Sequence, residues 1–138
     1  SKVNVSNIID ISLLDNQGNR RSLTDLKGKV VMLDFHVFGS NGSTKRIMEM
    51  RELYNKYHDR GFEIYQVAFD PDEHFWKTQT AALPWISVRD PQGLQSQNLA
   101  AYNVSSIPTF FLIDRNNEVK KRDSQITDID AEINALLN

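Results

Sequence analysis

The stretch Val30-Val31-Met32-Leu33-Asp34-Phe35 is apolar at every position but one. A strand with one wet face alternates apolar and polar residues, whereas a near-continuous apolar run needs cover on both faces. The stretch therefore predicts a central strand buried between two layers, with Asp34 as the one acid inside it. No apolar run in the chain approaches the roughly 18 residues of a membrane span.

The segments around this strand alternate between the two regular structures. Ile8 to Leu14 reads as a short strand, and Asp15-Asn16-Gln17-Gly18 as the turn that ends it. Ser22 to Gly28 reads as one helical turn closed by glycine. From Ser40 to Asp59 the residues Ile47, Met50, Leu53, Tyr54 and Tyr57 recur at helical spacing, and Gly61 sits where a C-terminal cap glycine belongs. Phe62 to Phe69 is a second strand. Asp70-Pro71-Asp72 starts a helix to about Ala82, which Pro84 stops. Ile86 to Val88 is a short strand, and Gly93 to Tyr102 is helical. Thr109 to Ile113 is an apolar strand that turns at Asp114-Asn117 into a polar partner, Glu118 to Lys121. A last helix runs from about Asp128 to Leu137. Alternating elements that close on an antiparallel hairpin imply a mixed sheet covered on both faces, in one α/β domain over residues 1–138.

Charge and composition narrow the function classes. Sixteen Lys and Arg against eighteen Asp and Glu leave a net charge of −2. That balance argues against nucleic acid as a bulk electrostatic partner. The opening Ser1-Lys2-Val3-Asn4 has no apolar core of a signal peptide, and direct membrane insertion is not expected of these residues. There is no cysteine. Disulfides, thiolate metal sites and cysteine nucleophiles are excluded with it. His58 and His74 are isolated, so no metal is expected.

Three landmarks coincide in the order of a known architecture. Lys29 to Phe35 leads into a polar, glycine-containing turn at the start of a long helix; Ile107-Pro108-Thr109-Phe110 opens a later strand; Asp114 begins the closing hairpin. Together these resemble the thioredoxin fold, and more closely the TlpA/ResA-type thiol-disulfide oxidoreductases of the AhpC/TSA group. Leu23-Thr24-Asp25-Leu26-Lys27-Gly28-Lys29-Val30-Val31 and Asp90-Pro91-Gln92-Gly93 are typical of that group at these places. The resemblance covers about residues 8 to 137. It implies a central mixed sheet with helices on both faces, an N-terminal strand extension and a central helical insertion.

The family pattern places Trp-Cys-x-x-Cys after the central strand, and here the chain reads Gly39-Ser40-Asn41-Gly42-Ser43. Both redox positions, Ser40 and Ser43, carry hydroxyls. Exchange needs a thiolate that attacks a sulfur, and a peroxidatic mechanism needs an oxidisable sulfur, so neither reaction is open to the chain. His36, Phe38, Gly39, Asn41 and Gly42 also depart from the pattern, which reads as divergence of the whole site. The resemblance makes Asp34 the buried acid beneath the redox pair. It makes Pro108 the family's cis-proline, with the backbone of Ile107 free to pair with an extended peptide.

The expected function is a non-redox binding or structural module. Asn41, Gly42, Ile107 and Pro108 would hold an extended peptide or a protein partner, with no cofactor. The alternatives are a TlpA/ResA-like oxidoreductase whose two cysteines were replaced, and a peroxiredoxin relative that lost its cysteine. The family also implies a bacterial periplasm or envelope location. Ser40 is expected to cap the long helix, with help from Ser43 or Thr44. His36 lies on another element from Ser40 and no orienting acid is identifiable, so a Ser-His nucleophile is not expected. Lys120-Lys121-Arg122 reads as charge that protects an edge strand. Phe75, Trp76 and Trp85 read as packing of the inserted helix.

Overall fold

The computed structural model describes residues 8–138. The reading of Ser1 to Asn4 lies outside the described residues. A two-stranded antiparallel hairpin, β1 (Ser12–Leu14) and β2 (Arg20–Ser22), precedes a five-stranded sheet. The sheet contains β3 (Val30–His36), β4 (Phe62–Ala68), β5 (Ile86–Arg89), β6 (Thr109–Ile113) and β7 (Val119–Arg122), in the order β5-β4-β3-β6-β7. β3 runs parallel to β4 and antiparallel to β6. The helices are α1 (Ser43–Tyr57), α2 (Glu73–Thr80), α3 (Gln97–Ala101) and α4 (Ile129–Leu137).

The sheet is mixed and covered on both faces because each central strand buries both of its own. Along β3 the alternation of a pleated strand sorts residues by parity. Val31, Leu33 and Phe35 join Tyr65, Val67, Leu99 and Tyr102 on one face. Val30 and Met32 join Met50, Leu53, Ile133 and Leu137, from α1 and α4, on the other. The even-numbered series continues through Asp34 and His36, so these two polar side chains point at α1.

Several expectations need correction. Residues 8–11 lie outside the strand, which starts at Ser12, and β2 was not foreseen. Its sequence, Arg20-Arg21-Ser22, carries no apolar alternation; pairing with β1 makes it a strand. The long helix starts at Ser43 rather than Ser40. Gly42 takes the N-cap position at φ 86°, a left-handed conformation that glycine adopts without steric cost. The segment 93–102 splits into a 3₁₀ turn, Gly93–Gln95, and the short α3, capped by the Ser96 side chain. β7 is an edge strand and carries the basic run 120–122. Trp76 and Trp85 are buried as packing residues, but Phe75 is exposed and does not pack the helix onto the core. Among the described residues no helix is long and apolar enough to cross a membrane.

Candidate functional site

The register of the sheet assembles the centre of the site. Asp34 on β3 lies opposite Gln66 on β4 and Phe110 on β6. The inner face of α1 presents Ser43, Arg46 and Met50, spaced at three and seven residues, to the same point. Asp34 is fully buried, with 0% of its surface exposed. Its Oδ1 accepts a hydrogen bond of 2.9 Å from Arg46 Nη2, and its Oδ2 accepts one of 3.0 Å from Gln66 Nε2. Gln66 Oε1 in turn accepts from Trp85 Nε1 at 2.9 Å. The Arg46 guanidinium stacks over the Phe110 ring, 4.6 Å from its centroid. Asp34 is thus held in an ion pair with Arg46.

His36, 1% exposed, bridges this network to the start of α1. Its Nε2 lies 2.7 Å from Ser43 Oγ. Its Nδ1 lies 3.3 Å from Asp34 Oδ2 but is not aligned to hydrogen-bond it, so that nitrogen has electrostatic contact and no hydrogen-bond partner. Phe38 covers the imidazole, with ring centroids 4.5 Å apart. The histidine therefore engages Ser43 and not Ser40, and an acid does stand beside it. The arrangement is sealed: the imidazole is closed off from solvent, and Asp34 is already shared between Arg46 and Gln66.

Ser40 does not cap the helix. Its Oγ donates to the Val37 carbonyl at 2.6 Å, closing the loop after β3 on itself. Ser43 does not cap it either, because its hydroxyl faces His36. The loop is pinned from the β4 side by Asp70, whose carboxylate accepts from Phe38 N at 2.9 Å and Gly39 N at 3.0 Å.

Ile107–Pro108 is a cis peptide bond. Ser40 and Ile107 come together as two lining residues of one groove of about 570 Å³, completed by Val37, Leu94, Leu99 and Val104 among others. Asn41, Gly42 and Pro108 are exposed nearby and do not line it. None of the groove's lining side chains is charged. Among the described residues no cluster of His, Cys, Asp and Glu could hold a metal.

Arg46, Gln66 and Asp70 are the site residues that sequence reasoning missed. Arg46 was within reach: strand parity points Asp34 at α1, and the helical period puts Arg46 beside Ser43. Gln66 and Asp70 depend on the pairing of β3 with β4, which no local pattern specifies.

Comparisons with known proteins agree with this fold. The sequence model of the AhpC/TSA family matches residues 6–122. The chain is 36% identical over 116 residues to the thiol-disulfide oxidoreductase ResA of Geobacillus kaustophilus, covering 81% of this chain and 64% of that protein. It thus spans less than two thirds of the length of that curated relative. A solved thioredoxin-like protein of Bacteroides vulgatus superposes with a TM-score of 0.89 at 53% identity, covering 94% of this chain and 86% of that one. The thioredoxin domain of a thiol-disulfide oxidoreductase from the same organism superposes with a TM-score of 0.82 at 28% identity, covering 98% and 96%. This chain belongs to the AhpC/TSA family, as a thioredoxin-like member of the thiol-disulfide oxidoreductase type that carries no cysteine.

Proposed function

We propose that the chain is a non-redox binding module that holds an extended peptide or a segment of a partner protein in the groove beside Ser40 and Ile107. The observation that carries this reading is what occupies the place of the dithiol. Ser43 is tied to His36 at 2.7 Å, and the acid below it is tied to Arg46 at 2.9 Å. Sulfur exchange needs a thiolate that attacks a disulfide sulfur; here hydroxyls stand at both positions, and the acid below them is held in an ion pair. The site has been rebuilt as a packed polar network.

Support for a peptide comes from the groove. Its lining is apolar, hydroxylic and amide (Gln95), without charge, and Leu94 in its wall is 70% exposed. Among the described residues the N–H and C=O of Ile107 take no backbone partner. An extended segment gains main-chain hydrogen bonds at such an edge and places alternate side chains in the pocket. A bacterial periplasm or envelope location is part of the proposal and is supported by the family alone.

The test is a ¹H–¹⁵N titration with a cysteine-free peptide of alternating valine and threonine. Saturable shifts are expected at Val37, Ser40, Leu94 and Ser105 to Ile107, and Leu94→Asp is expected to abolish them. Binding that Leu94→Asp leaves intact, or no shift at these amides, refutes the groove. The Ser40→Cys/Ser43→Cys variant is expected to reduce insulin disulfides no faster than the parent chain. Efficient turnover by that variant would favour an oxidoreductase that has merely lost its thiols.

A further inference from the structure

The far end of the sheet carries a cleft that the site above does not use. β5 begins at Ile86, opposite Tyr65, so β4 extends beyond it and Glu63 has no β5 partner. Leu83, Pro84 and Trp85 lead into β5 around the gap. The result is a cleft of about 630 Å³ between the β1–β2 hairpin, the end of α2 and the start of β5.

Two buried polar groups line its wall, and one of them, Ser87, lacks the hydrogen-bond partner that burial ordinarily demands. Glu63 is 7% exposed. One of its oxygens accepts from the neighbouring Ile64 N–H at 2.8 Å, and among the described residues it forms no ion pair. Burial raises its pKa, and more distant cations offset this only in part. Ser87 is 3% exposed, and its hydroxyl has no hydrogen-bond partner. At the mouth stand two cations, Arg21 and Lys77, with side chains 41% and 51% exposed. Each has an acidic neighbour: Arg21 lies 3.4 Å from the buried Asp15, which also accepts from the Gln17 and Asn19 N–H groups, and Lys77 lies 3.6 Å from the exposed Glu73, a pair that contributes little and leaves Lys77 able to take another anion.

A desolvated carboxylate inside a polar cleft, an unused hydroxyl elsewhere in the same lining and basic groups at the rim form a graded charge pattern. We propose that this cleft binds a small zwitterion, a free amino acid or a dipeptide, with its ammonium group on Glu63 and its carboxylate held by Arg21 and Lys77. Ser87 offers a hydrogen bond in the wall, and Leu83, Pro84 and Trp85 receive an apolar side chain. An ammonium brings the donors and the charge that Glu63 lacks. An anion alone would meet that carboxylate, and a bare cation would leave the rim unused.

The experiment is a ¹H–¹⁵N titration of the whole chain with L-phenylalanine and with the dipeptide Ala-Phe, each also as its N-acetyl derivative. The expected result is saturable shifts at Glu63, Ile64 and Trp85 to Ser87. N-acetylation and Glu63→Gln are each expected to weaken binding by about tenfold or more, the range for a hydrogen bond to a charged group. Whichever of the two probes saturates first identifies the ligand as amino acid or dipeptide. Glu63→Gln also tests the alternative of a structural role. Its Tm is expected to equal or exceed that of the parent chain, because the substitution removes a buried charge without an ion pair. The Arg21→Gln/Lys77→Gln variant removes both rim cations and is expected to weaken both probes. The proposal is overturned if neither probe saturates, if the N-acetyl forms bind equally, or if Glu63→Gln lowers the Tm or leaves affinity unchanged.

Discussion

Replacing Arg46 with methionine isolates the ion pair at the centre of the fold. Asp34 is fully buried, and its two oxygens are satisfied by Arg46 at 2.9 Å and Gln66 at 3.0 Å. Arg46→Met leaves the carboxylate with one neutral donor. Breaking a buried pair from one side costs about 3–5 kcal/mol. The Arg46 side chain is 19% exposed, so water can follow into part of the vacated space, and the lower end, about 3 kcal/mol, is expected. With an unfolding entropy of roughly 0.3 kcal/mol/K for a chain of this size, that lowers the Tm by about 10 °C. Asp34→Asn added to Arg46→Met removes the stranded charge and keeps the acceptor for Gln66, so the double variant should lie within about 1 kcal/mol of the parent chain. Adding Asp34→Asn thus restores about 2 kcal/mol of the stability that Arg46→Met removes. Urea titration followed by tryptophan fluorescence reads this directly, because Trp85 donates to Gln66 in the same network. An Arg46→Met loss below about 1 kcal/mol, or a double variant no more stable than the single, would refute the reasoning.

Three further outcomes follow from the same geometry. Ser43→Ala strips the buried His36 Nε2 of its partner and should cost about 1–3 kcal/mol in urea, whereas Ser40→Ala, which loses only a half-buried bond within its own loop, should cost less than about 1 kcal/mol; the reverse order would contradict the assignment of Ser43 to His36. Arg115 donates to the carbonyls of Gly28 at 2.8 Å, Arg60 at 3.0 Å and Leu137 at 3.1 Å, tying α4 to the strand starts, so Arg115→Ala should cost about 2 kcal/mol and speed amide exchange in α4. Because burial raises the Glu63 pKa, the native state binds more protons than the unfolded chain between the ordinary carboxylate value and the folded one; stability should therefore fall as pH rises through that window, and Glu63→Gln should flatten the fall measured by urea midpoints.

The parity of β3 and the period of α1 made much of this protein legible. The buried run 30–35 required two covering layers, and Met50, Leu53, Tyr54 and Tyr57 defined the face of α1 that supplies one of them. The absence of cysteine settled, without any structure, that sulfur exchange is closed to this chain. Local chemistry was less reliable at element ends. Serine is a favoured helix cap, yet Ser40 turned to a carbonyl and Ser43 to a histidine, because a glycine at φ 86° starts α1 and loop and strand contacts outcompete the cap.

What the sequence determined by itself was periodicity and composition: which faces are apolar, where turns fall, and which reactions lack their atoms. The tertiary structure alone decided the pairings across elements. Asp34 meets Gln66 through the β3–β4 register, Arg46 through the docking of α1, and Glu63 has no β5 neighbour because β5 begins opposite Tyr65. These are contacts between residues far apart in the chain. Strand register and helix docking fix them by optimising burial over the whole core, so no short window of sequence carries the information.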